Sequence, residues 1–215
     1  RLIMTSQAYR QSSAVTPLHQ KLDPENRLIS RMPLRRLEAE ELRDALIFTA
    51  DQLDETQFGE PVDVEVRADG LVTSRKTSAG WRRSIYVRHR RKDMPTMLEV
   101  FDLPQMNPNC TERKNSNVVS QPLLLVNNRL VHDLADHFAR RVRAEAGEDP
   151  QQRIERAYQL AFQRPPTPAE TELALNSIQL LSLPAEEGTK SESAQNGFTE
   201  YCHVLLNSAE FLYLD

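Results

Sequence analysis

The chain has 215 residues, 27 of them Lys or Arg and 31 Asp or Glu, for a formal net charge of -4. That length allows a sizeable core, with roughly 70 percent of the unfolded surface buried in a single domain, and the balanced charge excludes a global field that draws the chain to nucleic acid or membrane. No apolar run approaches the roughly 20 residues that span a bilayer, and the six glycines form no phosphate loop, so nucleotide binding has no support.

In chain order, residues 1–9 read as the end of a helix that began before Arg1, and with no initiator methionine the chain is expected to be a piece of something longer. Asp23-Pro24 predicts a helix with Asp as N-cap and Pro at the first helical position. It should stop near Met32, because Pro33 turns its predecessor away from helical angles. A longer helix over residues 34–53 is expected from the helical spacing of Ala39, Leu42, Ala45, Leu46, Phe48 and Leu53.

The period then changes. Val62, Val64 and Val66 alternate with Asp63, Glu65 and Arg67 up to Asp69-Gly70, a hairpin signal, and a return strand through residues 71–73 should follow. A third strand is expected over residues 83–88, carrying Ile85 and Val87, and would complete a small antiparallel sheet. Residues 95–119 read as a long ordered loop containing Pro104 and Asn107-Pro108-Asn109.

From residue 122 to 146 the pattern is helical, with Leu130, Leu134, Phe138 and Val142 on one face and Gly147 as the stop. Residues 150–162 form a shorter helix, and Thr167-Pro168-Ala169-Glu170 is a capping box that starts another, running through Leu181. Residues 184–197 read as a flexible connection. The last helix carries Phe198, Tyr201, Leu205 and Leu212. The fold class is therefore α+β, mainly helical: packed helices with a small antiparallel β excursion between about residues 60 and 100, in one domain (1–57 helical, 58–119 small sheet and loop, 120–215 helical).

Charge is patterned along this frame. Arg27 and Arg31 stand one helical turn apart, which offers a carboxylate or sulfate site through the planar guanidinium fork. Alternatively these arginines, with Arg35, pair with Glu38, Glu41 and Asp44 across a tight bend. Residues 75–92 hold eight Lys or Arg and no acid, whereas residues 44–69 hold eight acids against Arg67 alone. Opposite blocks of this kind can complement each other across strands. With Trp81, Tyr86 and His89 interleaved, the basic block also resembles a platform for a nucleic-acid strand or an anionic polysaccharide. The anion- or partner-binding candidates are Arg82, Arg83, Arg88, Arg27, Arg31, Arg113, Trp81 and Tyr86.

Catalytic templates are sparse. Glu99 and Asp102, three apart, are the candidate acid/base pair; the competing reading buries this stretch for packing and pairs the carboxylates with Arg82 or Arg83. His132 and His137 are five apart, on different helix faces, so no metal site is expected. Ser12 and Ser13 lack a glycine-flanked elbow. Cys110 and Cys202 match no repeating spacing; one bridge is permitted but not implied.

Nine short stretches in order resemble one family, the planctomycete-specific C-terminal domain of unknown function 1553. They include Tyr9-Arg10-Gln11-Ser12-Ser13, Asp23-Pro24-Glu25-Asn26-Arg27-Leu28, Arg35-Arg36-Leu37-Glu38, Arg82-Arg83-Ser84-Ile85-Tyr86, Glu99-Val100-Phe101-Asp102, Asn109-Cys110-Thr111-Glu112-Arg113 and Ser208-Ala209-Glu210-Phe211. Gln163 departs from the pattern, standing where a glycine is common. The resemblance implies the last part of a large exported protein, periplasmic or extracellular, that also carries a cytochrome-c-like domain. Any haem would belong to that other part, since no Cys-x-x-Cys-His occurs here; no cofactor is expected in this chain. The resulting expectation is an accessory or interaction module facing other domains of the parent or an anionic glycan. The alternatives are a carbohydrate-active hydrolase using Glu99 or Asp102, with Arg82, Arg83 or Arg113 positioning an anionic group, and nucleic-acid binding.

Overall fold

A computed structural model describes residues 1–90, 92–104, 110, 113, 116–182 and 190–214. The expected turn at Asn107-Pro108-Asn109 lies outside these residues. Helix α1, Pro17–Leu22, is capped by Thr16, whose hydroxyl accepts from the His19 amide while the His19 ring accepts from the Thr16 amide. Strand β1 is Arg35–Arg36, helix α2 Ala39–Thr49, β2 Leu53–Asp54, β3 Val64–Val66, β4 Val72–Ser74 and β5 Trp81–Arg82. A 3-10 turn follows at Ser84–Tyr86. The remaining elements are α3 Thr96–Val100, α4 Ser120–Asn127, α5 Arg129–Ala146, α6 Pro150–Phe162, α7 Pro168–Leu181, α8 Lys190–Leu206, α9 Ala209–Leu212 and β6 Tyr213–Leu214.

The architecture is mainly helical α+β. Helix α5 forms its spine because Val131, Leu134, Ala135, Phe138, Ala139 and Val142 recur at three- and four-residue steps and are all buried. Helix α8 lies against it with Phe198, Tyr201, Cys202, Leu205 and Leu206, and α6 adds Ile154, Ala157 and Tyr158. Each large apolar side chain enclosed this way contributes roughly 1.5–3 kcal/mol. Helix α2 closes the other side through Leu42, Leu46 and Ile47, against Leu98 and Phe101. At Gly197 an added Cβ would lie 2.8 Å from the Ile178 carbonyl oxygen and closer still to the Ser182 hydroxyl, so glycine allows α7 and α8 to approach.

Hairpin β3–β4 pairs Val66 with Val72 across Asp69-Gly70, as the alternation predicts. The other strands differ from expectation. There is no three-stranded sheet among the described residues but three two-stranded pairs, of which β2–β5 is parallel, joining Leu53 to Trp81. The strand expected over residues 83–88 is interrupted by the 3-10 turn at Ser84–Tyr86, where the Ser84 amide and hydroxyl both donate to Asp44 at 2.7 Å and pull the chain out of the ladder. Only Val87 bridges, to Val62.

Several expected helix limits move for local reasons. Residues 1–9 form turns, with the Thr5 and Ser6 hydroxyls donating to the Arg1 and Ile3 carbonyls in competition with helix ladders. Asp23 does not open a helix. It closes α1, and its carboxylate accepts from the Arg27 and Leu28 amides and the Ser30 hydroxyl, which shapes residues 23–30 into a loop. The helix expected from residue 34 begins only at Ala39, since Arg35–Arg36 pairs with Tyr213–Leu214 at the far end of the chain. Asn128 breaks the helix expected over residues 122–146 by capping α5 through the Leu130 amide. Residues 96–100, expected as loop, are helical. Helix α8 starts at Lys190, inside the stretch expected as a flexible connection.

Candidate functional site

The arginines singled out in the sequence lie mostly inward. Arg36, on β1, is buried and donates to the Ser116 carbonyl at 2.7 Å, the Gln121 side chain at 2.5 Å, the Phe101 carbonyl at 3.3 Å and the Asp102 carboxylate at 2.9 Å. Arg43 sits on the buried face of α2 and donates to the Arg82 carbonyl and to the hydroxyls of Ser74 and Ser84. Burial lowers its pKa to about 10, partly offset by Asp44, so it remains charged at neutral pH. Arg82 donates to the carbonyls of Thr56, Phe58 and Glu60 and stacks over Tyr86 at 4.2 Å. Guanidinium forks thus satisfy backbone groups that strands satisfy elsewhere.

The anion-site candidates are placed accordingly. Arg27 pairs with Glu25 on the exposed loop, while Arg31 donates to the Asp23 and Pro24 carbonyls. They are not on one helix face, and of the three arginines only Arg35 meets Glu38 and Glu41. Arg88 lies between Glu60 and Asp63, and Arg83 reaches Asp44 at 3.4 Å. The acidic and basic blocks therefore answer each other, through loops as well as strands. Arg113 bridges Glu38 and Glu40, whose hydrogen bonds and charges raise its pKa. Trp81 is buried, edge-on to His137 and covered by Lys76 at 4.3 Å; it lines a cleft of about 320 Å³ whose walls carry Glu65 and Asp133 as well as Arg67 and Arg129. A uniformly positive platform is absent from these walls.

Glu99 and Asp102 are not a facing pair. Glu99 is exposed on α3, whereas Asp102 accepts from the Ser116 amide, the Ser116 hydroxyl and Arg36. Burial works against ionisation of Asp102, but these bonds outweigh it and hold the carboxyl below its ordinary range. Its partner is Arg36, not the Arg82 or Arg83 suggested by proximity in the sequence. Cys202 is buried in α8, which raises its thiol, and Cys110 is exposed; the two are not joined.

Apolar surface is also open to solvent. Phe48, expected on the core face of α2, is 54% exposed. It lines a groove of about 1030 Å³ walled by Leu34, Leu160, Phe162, Phe211 and Leu214. It also lines a second groove, of about 510 Å³, with Leu53, Ile85 and Tyr86 and with the charged Asp44, Glu55 and Arg83. The charged residues at the larger groove are satisfied: Arg164 forms paired bonds with Glu170 and Glu210, at 2.6–2.9 Å. The periodicity of α2 offered no clue to this exposure, because Phe48 fits the apolar repeat and only the C-terminal β6 shows which side stays uncovered.

A further cluster escaped sequence reasoning. His132 on α5 lies beside Glu200 and His203 on α8, so the useful partner of His132 is 71 positions away and not His137. Spacing of Glu200 and His203 by three on one helix was the available signal.

Residues 1–178 match the model of a family described as protein of unknown function (DUF1553), PSD1. The match covers well over half of the chain, and the chain belongs to that family. No curated protein and no solved structure matches it.

Proposed function

We propose that this member of the DUF1553 family is a non-enzymatic interaction module that receives an apolar, uncharged segment of a partner protein around Phe48. The carrying observation is the exposure of Phe48 on the ridge shared by two adjoining grooves. Exposed apolar surface flanked by satisfied polar groups favours protein contact over solvent. At the larger groove the occupant's chemistry follows from Arg164, which already has two carboxylates and offers little to a charged ligand. Small-molecule catalysis has less support, because polar groups do not converge in the groove and Asp102 is held ionised by Arg36. By resemblance, the partner is another domain of an exported multidomain parent.

The test is a photo-crosslinking residue at position 48, in the protein as its host makes it, with position 173 as an exposed control on α7. The expected result is crosslinking from position 48 to one defined apolar segment, absent from position 173. Equal, diffuse crosslinking from both positions overturns the reading. So does saturable binding or turnover of sulfated or uronic glycans that Arg83→Ala abolishes and Phe48→Ala leaves intact.

A further inference from the structure

The geometry points to a divalent transition-metal site of the zinc class, formed by His132 from α5 and by Glu200 and His203 from α8. One ligand atom from each of the three residues lies within 4.8 Å of the other two. The two imidazoles stack with centroids 4.0 Å apart and planes 21° apart, so they are immediate neighbours, and the exposed His132 ring has to tilt out of the stack for both in-plane lone pairs to meet one ion. Glu200 and His203 are one turn apart on α8, so they share a face. Two imidazoles and a carboxylate, with a fourth position left to water, form a ligand set suited to zinc.

A second observation concerns protonation. The Nε2 of His203 is buried and has no hydrogen-bond partner, on a residue only 7% exposed. An imidazole nitrogen in that position costs free energy unless something occupies its lone pair. For His132 the tautomer follows from one bond: its Nε2 lies 2.9 Å from the Val126 carbonyl, which can only accept, so Nε2 carries the proton and Nδ1 is the lone-pair nitrogen. The Val126 carbonyl of α4 thus holds His132 in a metal-binding tautomer, the outer-shell arrangement usual for ligating histidines.

Binding requires the exposed side chains to reorient. A tetrahedral zinc holds its ligand atoms roughly 3.3 Å apart. His132 and Glu200 are both exposed, so the His132 ring can tilt and Glu200 can swing in to meet the buried His203 without disturbing the core. The metal would join α5 to α8, with α4 bound through the Val126 carbonyl on His132. This site lies on different elements from the Phe48 grooves and does not depend on the docking proposal.

The experiment is calorimetric titration of the purified, chelator-stripped chain with zinc sulfate, followed by cobalt substitution. The expected result is one zinc per chain, a raised Tm on binding, and the intense visible bands of tetrahedral cobalt. His132→Ala, Glu200→Gln and His203→Ala should each weaken zinc by roughly tenfold or more, while His89→Ala, an exposed histidine elsewhere, leaves it unchanged. If His203→Ala fails to fold, the two exposed positions carry the test. Zinc affinity equal in wild type, H132A and E200Q overturns the proposal, as does several weak equivalents per chain or an octahedral cobalt spectrum.

Discussion

Arg36 and Asp102, 66 residues apart, form a 2.9 Å ion pair in which the guanidinium is almost fully enclosed. Arg36 also reaches the carbonyls of Phe101 and Ser116, and Asp102 accepts from the Ser116 amide. The pair therefore ties β1 to the turn after α3 and to the segment leading into α4. Asp102 has a φ of 68°, a left-handed conformation that these bonds hold in place.

A structural carboxylate and a catalytic one respond oppositely to neutralisation. Asp102→Asn leaves Arg36 as an incompletely paired buried charge and should destabilise by about 2–4 kcal/mol, read as a lower urea midpoint with an unchanged slope. Arg36→Lys should cost about 2 kcal/mol or more, because one ammonium cannot serve four acceptors spread around a planar fork. An Asp102→Asn chain as stable as wild type or more so would return this residue to the catalytic candidates.

Arg82 and Arg83 are adjacent and differ completely in surroundings. Arg82 is buried and serves three carbonyls of residues 56–60, so Arg82→Ala should cost about 3 kcal/mol. Arg83 has a side chain 60% exposed and a 3.4 Å contact to Asp44, so Arg83→Ala should stay within about 0.5 kcal/mol. Thermal unfolding of the two variants checks the contrast. Comparable losses would show that Arg83 also supports the fold.

The same pair shows what could be read from the sequence. Local rules located the hairpin at Asp69-Gly70, the capping box at Thr167 and the apolar stripe of α5, because each depends on neighbours a few residues away. They could not say which of two consecutive arginines enters the core. That choice rests on loop carbonyls at Thr56, Phe58 and Glu60 and on α2, through Arg43. Residues 34–38 failed for a similar reason: their helical spacing is real, but β6, some 175 positions later, offers a strand partner to Arg35 and Arg36. The histidine cluster required the packing of α5 on α8 before any two of its members became neighbours.

Gln163 ends α6 in the left-handed region, with φ 58° and ψ 22°. A side chain is strained there and glycine is not. Gln163 exposes its side chain, and its Nε2 contact to the Leu160 carbonyl is long, at 3.4 Å. Gln163→Gly should therefore stabilise by about 0.5–1 kcal/mol, a rise in Tm of a few degrees. Gly80→Ala should act in the opposite direction: its φ is 130°, and an added Cβ would collide with the Gln52 carbonyl that receives the Trp81 amide. A loss of about 2 kcal/mol or more is expected, with both variants compared by denaturant midpoint.

Acid should unfold the chain through its carboxylates. Hydrogen bonds from Arg164 and from the Thr167 amide hold Glu170 down to about 2, and bonds from Thr56 and Thr77 hold Asp54 to about 2. Both values lie below those of an unfolded chain, near 4, so the unfolded state takes up protons first as pH falls. The stability these groups contribute is complete above about pH 5 and is lost as pH drops from there towards 2. Arg164→Gln removes the leading cause at Glu170 and returns its pKa towards the unfolded value. The variant should be less stable at pH 7, and its Tm should fall less steeply between pH 5 and 3 than that of wild type. Parallel Tm curves for the two proteins across that window would show that Arg164 does not govern the acid sensitivity of this corner.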